Sequence, residues 1–343
     1  MTPETPSYGR REARGRRLWA EQPTRPYAGE TYYDRPAIKS SHYRWLIASY
    51  LFTGGIAGAS QIVATVADLF GRRGDRGLVR GGRYVALLGA ALSPVFLIAD
   101  LHTPKRFYNM LRIYRPTSPM SIGSWTLAAF GTLSGVAAAG QMLEDLTGAG
   151  LGRWAARLAG LPAAGAGMVM SCYTGSLLSA TSVPLWASAY RLLPSLFGTS
   201  AMSTGAAATS LAMDKAGVSE EAHASLEKIA LVASATELAL TLACERQWKA
   251  SGVDTPLHHK KNVALAYRLG VLGLGILAPL TIHAIHTISG RRWPWASRLA
   301  DASALAGGFV QRAVLTFGGN DSAERPRDYF QFTQPGRNGK VAA

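Results

Sequence analysis

Two groups of residues in this sequence have side chains and spacing suited to moving protons. Asp100 and His102 flank the end of a long apolar run, and Arg106 follows about one helical turn later. A carboxylate at the edge of hydrocarbon is expensive to hold charged and usually marks a partner or a function. One reading is that Asp100 pairs with Lys105 or Arg106 and pins a loop. The other is that Asp100, His102 and Arg106 hold a carbonyl head group and relay protons to it. Reduction of a quinone takes up two electrons and two protons, so it needs donors at the carbonyl oxygens and a titrating relay, which Tyr, His and Asp supply. Tyr50, Ser124 and Trp125 share this region if the apolar runs fold as the helices set out below, with Tyr173 somewhat deeper.

The second group is Glu237, His283 and His286. Glu237 sits among apolar residues, where a carboxylate is either protonated or partnered; a structural hydrogen bond and a place on a proton route are equal readings. His283 and His286, one turn apart near a helix end, suit an interface at least as well as a proton path through His283.

Metal chemistry finds little support. Cys172 and Cys244 are the only cysteines, both in apolar surroundings, which excludes a disulfide framework, a CxxCH haem site and a four-cysteine cluster built by this chain. A bis-histidine haem needs ligands facing each other from different helices, whereas His283 and His286 are neighbours on one. His258 and His259 lie in a polar segment with no nearby cysteine or suitably spaced carboxylate. No bound metal or haem is expected.

The elements that position these residues follow from charge patterning. The mean hydropathy, +0.07, hides a concentration of polarity at the ends of the 343-residue chain. Residues 1–44 carry nine Lys/Arg and residues 318–343 are again polar; both read as tails. Between them, Trp45–Ala67, Ser121–Leu143, Leu158–Tyr190, Leu192–Met213 and Leu269–Ser289 contain no Asp, Glu, Lys or Arg. A bilayer core needs roughly 20 apolar residues per helix. Eight spans are predicted over 45–317: about Trp45–Leu69, Tyr84–Leu101, Ser121–Glu144, Leu161–Val183 (closed by Pro184), Pro194–Met213, Leu226–Arg246, Ala264–Ile288 and Trp293–Phe317. Lys105–Tyr114 has the alternation of a short interfacial helix. Arg298 and Arg312, about 21 Å apart along the last helix, suit snorkelling to opposite interfaces.

This organisation makes an all-α, polytopic membrane protein. It puts the start of span one, the end of span two, the start of span three and the end of span four at one face, where Tyr50, Asp100 and His102 gather. The net charge of +15 is read as loops and tails beside anionic lipid, not as a nucleic-acid surface. No apolar h-region precedes Trp45, so no cleavable secretory signal is expected. Loop Lys/Arg divide ten to twelve between the faces, and the basic N-terminal tail tips both termini toward the cytoplasm.

The run Asp100-Leu101-His102-Thr103-Pro104-Lys105-Arg106-Phe107-Tyr108-Asn109-Met110-Leu111-Arg112, followed by Ser118-Pro119-Met120-Ser121-Ile122-Gly123-Ser124-Trp125, resembles the signature after the second helix of NrfD/PsrC-type polysulfide-reductase membrane subunits. Tyr50 through Gly58, Tyr173-Thr174-Gly175 and Ala180 through Trp186 are also similar, and the likeness covers roughly residues 30–290. The resemblance implies eight helices in two four-helix bundles in the bacterial cytoplasmic membrane, without a bound redox metal. It further implies a four-cluster, ferredoxin-like iron–sulfur partner, a molybdopterin catalytic subunit, and electron exchange with menaquinone or ubiquinone in the first bundle. By that likeness Tyr173 is the quinone-contacting tyrosine, Asp100 is the signature aspartate, and Tyr50 and Ile47 occupy positions that are His and Asn in some members. His102 and Thr103 replace the signature's Gly and Arg, leaving Arg106 as the remaining cation. The competing functions are a passive membrane anchor, which would hold no quinone, and a proton or ion transporter, which would place its ionisable groups at midplane on broken helices.

Overall fold

The computed structural model describes residues 36, 38–71, 73–213, 220–259 and 261–333. Most of the expected N-terminal tail lies outside them, as do residues 334–343 and the loop charges Arg72, Lys215 and Lys260. Every regular element among the described residues is helical. Eight helices are long: α1 (Trp45–Phe70), α2 (Arg76–Ala99), α3 (Pro119–Thr147), α4 (Gly150–Ser179), α5 (Leu193–Ala212), α6 (Glu220–Ala250), α7 (Lys261–Ser289) and α8 (Pro294–Glu324). The shortest, α5, has 20 residues and so reaches about 30 Å, the thickness of bilayer hydrocarbon. Among the described residues, α1, α2, α3 and α7 alone are apolar enough, by length and composition, to cross a membrane; the other four are less apolar.

Helices α1–α4 form one bundle and α5–α8 a second, joined where α5 packs on α1 and α4. The near face of the molecule is the one at which α1 begins and α2 ends. Apolar side chains point outward, among them Leu88, Val95, Leu146, Leu158, Leu269 and Ile288, while Ser60, Gln61, Ser93, Thr174, Ser234 and Glu237 are buried. That arrangement suits a lipid surround, which rewards no polar contact and leaves small residues and internal hydrogen bonds to join helices. At the α1–α4 crossing, a Cβ on Gly58 would stand 2.3 Å from the carbonyl oxygen of Gly167. Only glycine allows the two backbones so close.

Local signals explain several boundaries. α3 starts where the Ser118 hydroxyl accepts from the Ser121 N–H, with Pro119 in its first turn, and it stops at Gly148, whose φ is 68°. Other boundaries differ from the sequence expectation. α2 begins at Arg76, not near Tyr84, because Arg83 does not lie in a loop. Its guanidinium is buried, donating to Asp68 at 3.0 Å and Gln141 at 2.7 Å, and Arg157 of α4 also binds Asp68. α4 begins at Gly150 and ends at Ser179; Pro184 opens a short helix, Pro184–Ser188, and does not close α4. The interfacial helix is a 3-10 segment, Pro104–Leu111, with no buried residue. α8 continues past Phe317 to Glu324, followed by the helix Pro326–Thr333, so the start of the expected C-terminal tail is helical.

Arg298 is exposed, but Arg312 does not snorkel: it is buried at the α5–α8 seam, donating to the Phe197 carbonyl at 3.1 Å and to Gln311. Its guanidinium also lies over the Phe197 ring, 4.1 Å from the centroid. Within α7, Ala266–Leu277 is wound as a π-helix.

The glycine crossing generates a paired test. Gly58→Val should lower the thermal midpoint of the detergent-solubilised protein, a loss of about 1–3 kcal/mol as for other overpacked contacts. Gly131→Val, where a Cβ meets nothing within 4 Å, should leave the midpoint nearly unchanged. Equal midpoints for the two variants would contradict the close crossing.

Candidate functional site

A convergence of polar groups on a cavity lies at the near face of the first bundle. Tyr43, Ile47 and Tyr50 follow one another at spacings of four and three, so they share the side of the chain that turns inward at the start of α1. The end of α2 presents Leu97, Asp100 and Leu101; α3 contributes Met120 and Ser124; α4 contributes Tyr173 and Leu177. With His42 and Met110 they enclose a cavity of about 30 Å³. That is room for water-sized guests. Its Met110 wall comes from the exposed Pro104–Leu111, whose helix is broken at Arg106 (φ −106°, ψ 17°).

Asp100 is the charged group of this cavity. Its partner is His42, with Nε2 at 3.5 Å from Oδ2, and neither Lys105 nor Arg106 takes that place. The Asp100 side chain is 11% exposed. Burial raises its carboxyl above the ordinary aspartate range, and the neighbouring His42 and His102 only partly offset this. The Tyr43 phenol is pushed up as well, first by burial and then by the Asp100 charge. The ring of His102 meets that of His42 edge-on at 6.3 Å, so the histidine of the Asp100-Leu101-His102 run stands behind the pair, on the exposed side.

The Tyr173 phenol lies across Gly123 of α3: a Cβ there would fall 2.0 Å from its oxygen. Glycine at that position is therefore what lets the α4 tyrosine reach the cavity. Tyr43 is fixed from the second bundle. Its ring stacks on Trp186 at 6.1 Å, and the Asn320 side chain donates to its carbonyl at 2.8 Å. Trp186 in turn donates to the Leu315 carbonyl of α8. The cavity thus draws its walls from α1–α4 and part of its support from α8.

Of the residues named from sequence, Tyr50, Asp100 and Tyr173 line the cavity together. His102 is next to it. Arg106 and Trp125 are exposed and do not line it, Trp125 meeting Tyr114 edge-on at 6.2 Å. His42 and Tyr43 were missed. For Tyr43 the signal was present in the Tyr43–Ile47–Tyr50 spacing, which extends the face of α1 by one turn.

The second group is distributed across the other bundle. Glu237 is buried and accepts from Gln311 at 2.8 Å. His283 and His286 are buried, close to Glu227 of α6, which sequence reasoning did not single out. Neither histidine is near the first-bundle cavity.

The family model for polysulphide reductase, NrfD, matches residues 37–321. The C subunit of the polysulfide reductase of Wolinella succinogenes is 28% identical over 179 residues, 48% of this sequence and 55% of that protein, so the match spans about half the relative's length. The family match takes in all eight long helices (α8 but for its last three residues) and every residue lining the cavity, and on that evidence this multi-pass membrane protein belongs to the NrfD polysulphide reductase family.

Proposed function

We propose that this protein is the quinone-handling membrane subunit of a multi-subunit oxidoreductase, exchanging electrons between an iron–sulfur partner and menaquinone or ubiquinone at the near-face cavity. The observation that carries the reading is the convergence of three phenols, Tyr43, Tyr50 and Tyr173, with the His42–Asp100 pair on one cavity at the rim of four helices. Phenols donate hydrogen bonds to carbonyl oxygens without adding charge to a lipid-embedded site. The Asp100 carboxyl, raised by burial, holds a proton more readily than a free aspartate, and His42 and His102 connect it toward the exposed side. Two electrons from the partner and two protons entering through these groups convert quinone to quinol; the reverse steps oxidise it.

The same reading puts the protein in a bacterial cytoplasmic membrane with its termini on the cytoplasmic side. The partners are a four-cluster iron–sulfur subunit and a molybdopterin catalytic subunit, and Arg106 serves the surface around the cavity. A passive anchor is the competing function; it is distinguished by a purified protein that holds no quinone.

Proton movement coupled to this chemistry is an extension through Glu237 and His283. On α6, Glu227, Ser234, Glu237, Thr241 and Glu245 recur at helical spacing and span about 27 Å. Each carboxylate has a cross-helix partner: Glu245 accepts from Tyr267, Glu237 from Gln311, and Glu227 faces His286. His283 stands at the far end of this polar stripe.

Tyr173→Phe and Asp100→Asn should each reduce quinone-coupled turnover by about 10²-fold, the lower range for loss of a positioned proton-transfer group. Activity of the catalytic partner with a soluble dye should persist. Unchanged quinone turnover in both variants sinks the site.

Stability supplies an independent reading of Asp100. A carboxyl raised in the folded protein contributes stability below its unfolded pKa, and that contribution is lost as pH rises through the folded pKa. Asp100→Asn should therefore match the wild type in acid and become the more stable of the two toward neutral pH; the opposite order in thermal melts would show that the His42 pairing outweighs burial. In proteoliposomes, Glu237→Gln should lower protons released per electron pair, and an unaltered ratio would remove Glu237 from any proton route.

A further inference from the structure

The far end of the second bundle contains a cluster that the quinone chemistry does not use. Glu227 of α6 and His283 and His286 of α7 are all buried, and one donor atom from each lies within 4.8 Å of the other two. His286 Nδ1 and Glu227 Oε2 are 3.2 Å apart. Two ligands at the corners of a tetrahedron around zinc, with bonds near 2.0–2.2 Å, stand roughly 3.3 Å apart. One edge of such a tetrahedron is thus already formed, and the other two separations lie within 4.8 Å.

Two features point to an ion rather than to a closed hydrogen-bond network. His283 is 1% exposed, yet its Nδ1 has no hydrogen-bond partner; a buried unpaired nitrogen is costly and calls for an explanation. Glu227 is held as a ligating carboxylate usually is. Its Oε1 accepts from Arg292 at 2.6 Å and from Ser297 at 2.5 Å, which fixes the group and turns Oε2 toward the histidines.

We propose that Glu227, His283 and His286 bind a divalent transition metal ion, zinc by ligand type, which ties the far ends of α6 and α7 and lies beside the start of α8. Two histidines and one carboxylate leave a fourth position for water. His286 Nε2 lies 3.4 Å from the Trp293 N–H, which places the metal-free proton on Nδ1 facing Glu227; the ion takes the place of that proton. The proposal is separate from the quinone reading and would stand if that failed. It bears on the proton route at one point only, since an ion bound to His283 occupies the far end of the α6 stripe.

The test reads metal and not turnover. The full-length protein, purified in detergent without a polyhistidine tag and stripped with a chelator, is titrated with Zn²⁺. Bound metal is then measured by elemental analysis after gel filtration. The wild type should retain one ion per molecule, and His283→Ala and Glu227→Gln should fall to background. Zinc should raise the melting temperature of the wild type but not of the variants, whose own cooperative melts report that they are folded. Because a variant that failed to fold would also lose zinc, Co²⁺ in the stripped wild type gives a second measurement: a four-coordinate nitrogen–oxygen site yields visible absorption bands that Zn²⁺ abolishes by displacement. No retained zinc in the wild type, equal zinc in folded variants, or no cobalt bands would each overturn the site.

Discussion

Lipid offers no hydrogen-bond partners, and the remainder of this structure follows from that fact. A polar group carried into the eight helices is costly unless another polar group of the protein, or a functional guest, meets it. Asp68 shows the requirement at its plainest. It sits near the end of α1, receives both Arg83 from α2 and Arg157 from α4, and so fixes three helices of the first bundle against one another. Removing either arginine leaves a buried charge short of a partner, which is far more damaging than losing an exposed ion pair. The outward-facing leucines and valines contribute little to helix choice, since lipid and protein interior are equally apolar to them. Specificity comes instead from buried polar pairs and from glycine crossings such as Gly58 with Gly167.

The same constraint bears on why the proposed proton chemistry belongs at the near face. At a helix end, backbone groups and side chains reach the aqueous boundary, so a carboxyl can gain and lose protons. Asp100 is at such an end, directly after α2, paired to a histidine that is half exposed. The phenols lie deeper, where they can bond a carbonyl without needing to ionise. A gradient from titrating groups at the rim to neutral donors inside is what a hydrophobic electron carrier requires, because its ring arrives from lipid while its protons arrive from water.

Much of this was legible in the sequence, for definable reasons. Charge-free runs locate the spans because an uncompensated charge in hydrocarbon is rare. The failures come where charge is compensated by a residue distant in sequence. Arg83 reads as a loop residue until Asp68, fifteen positions away, is seen beside it, and Arg312 reads as an interfacial arginine until Gln311 and the Phe197 carbonyl are seen around it. One boundary slipped for the same reason: α2 starts earlier, through charged residues that tertiary partners neutralise, Arg80 at Asp145 and Arg83 at Asp68. Within the site, Tyr50, Asp100 and Tyr173 were found through motif and span geometry. His42 lies before the first apolar run, and nothing in its own neighbourhood reveals that the backbone folds it over Asp100. Glu227 escaped because its partners come from the end of α7 and the start of α8.

Glu237 and Asp100 show how a carboxyl acquires two chemistries from position alone. Asp100 borders a cavity, and its histidine partner offers an exchange path to solvent. Glu237 is surrounded by protein at the middle of α6, and its contact with Gln311, itself bonded to Arg312, satisfies it without water. A proton on Glu237 can therefore move only if that contact opens. The π-wound stretch of α7 packs against α8 near Gln311, and Gly275 meets Gly307 backbone to backbone in that contact. A π-helix departs from the regular ladder of hydrogen bonds, so the second bundle carries an irregular helix where α7 meets α8, whereas the described residues of α1–α4 contain no π-wound stretch.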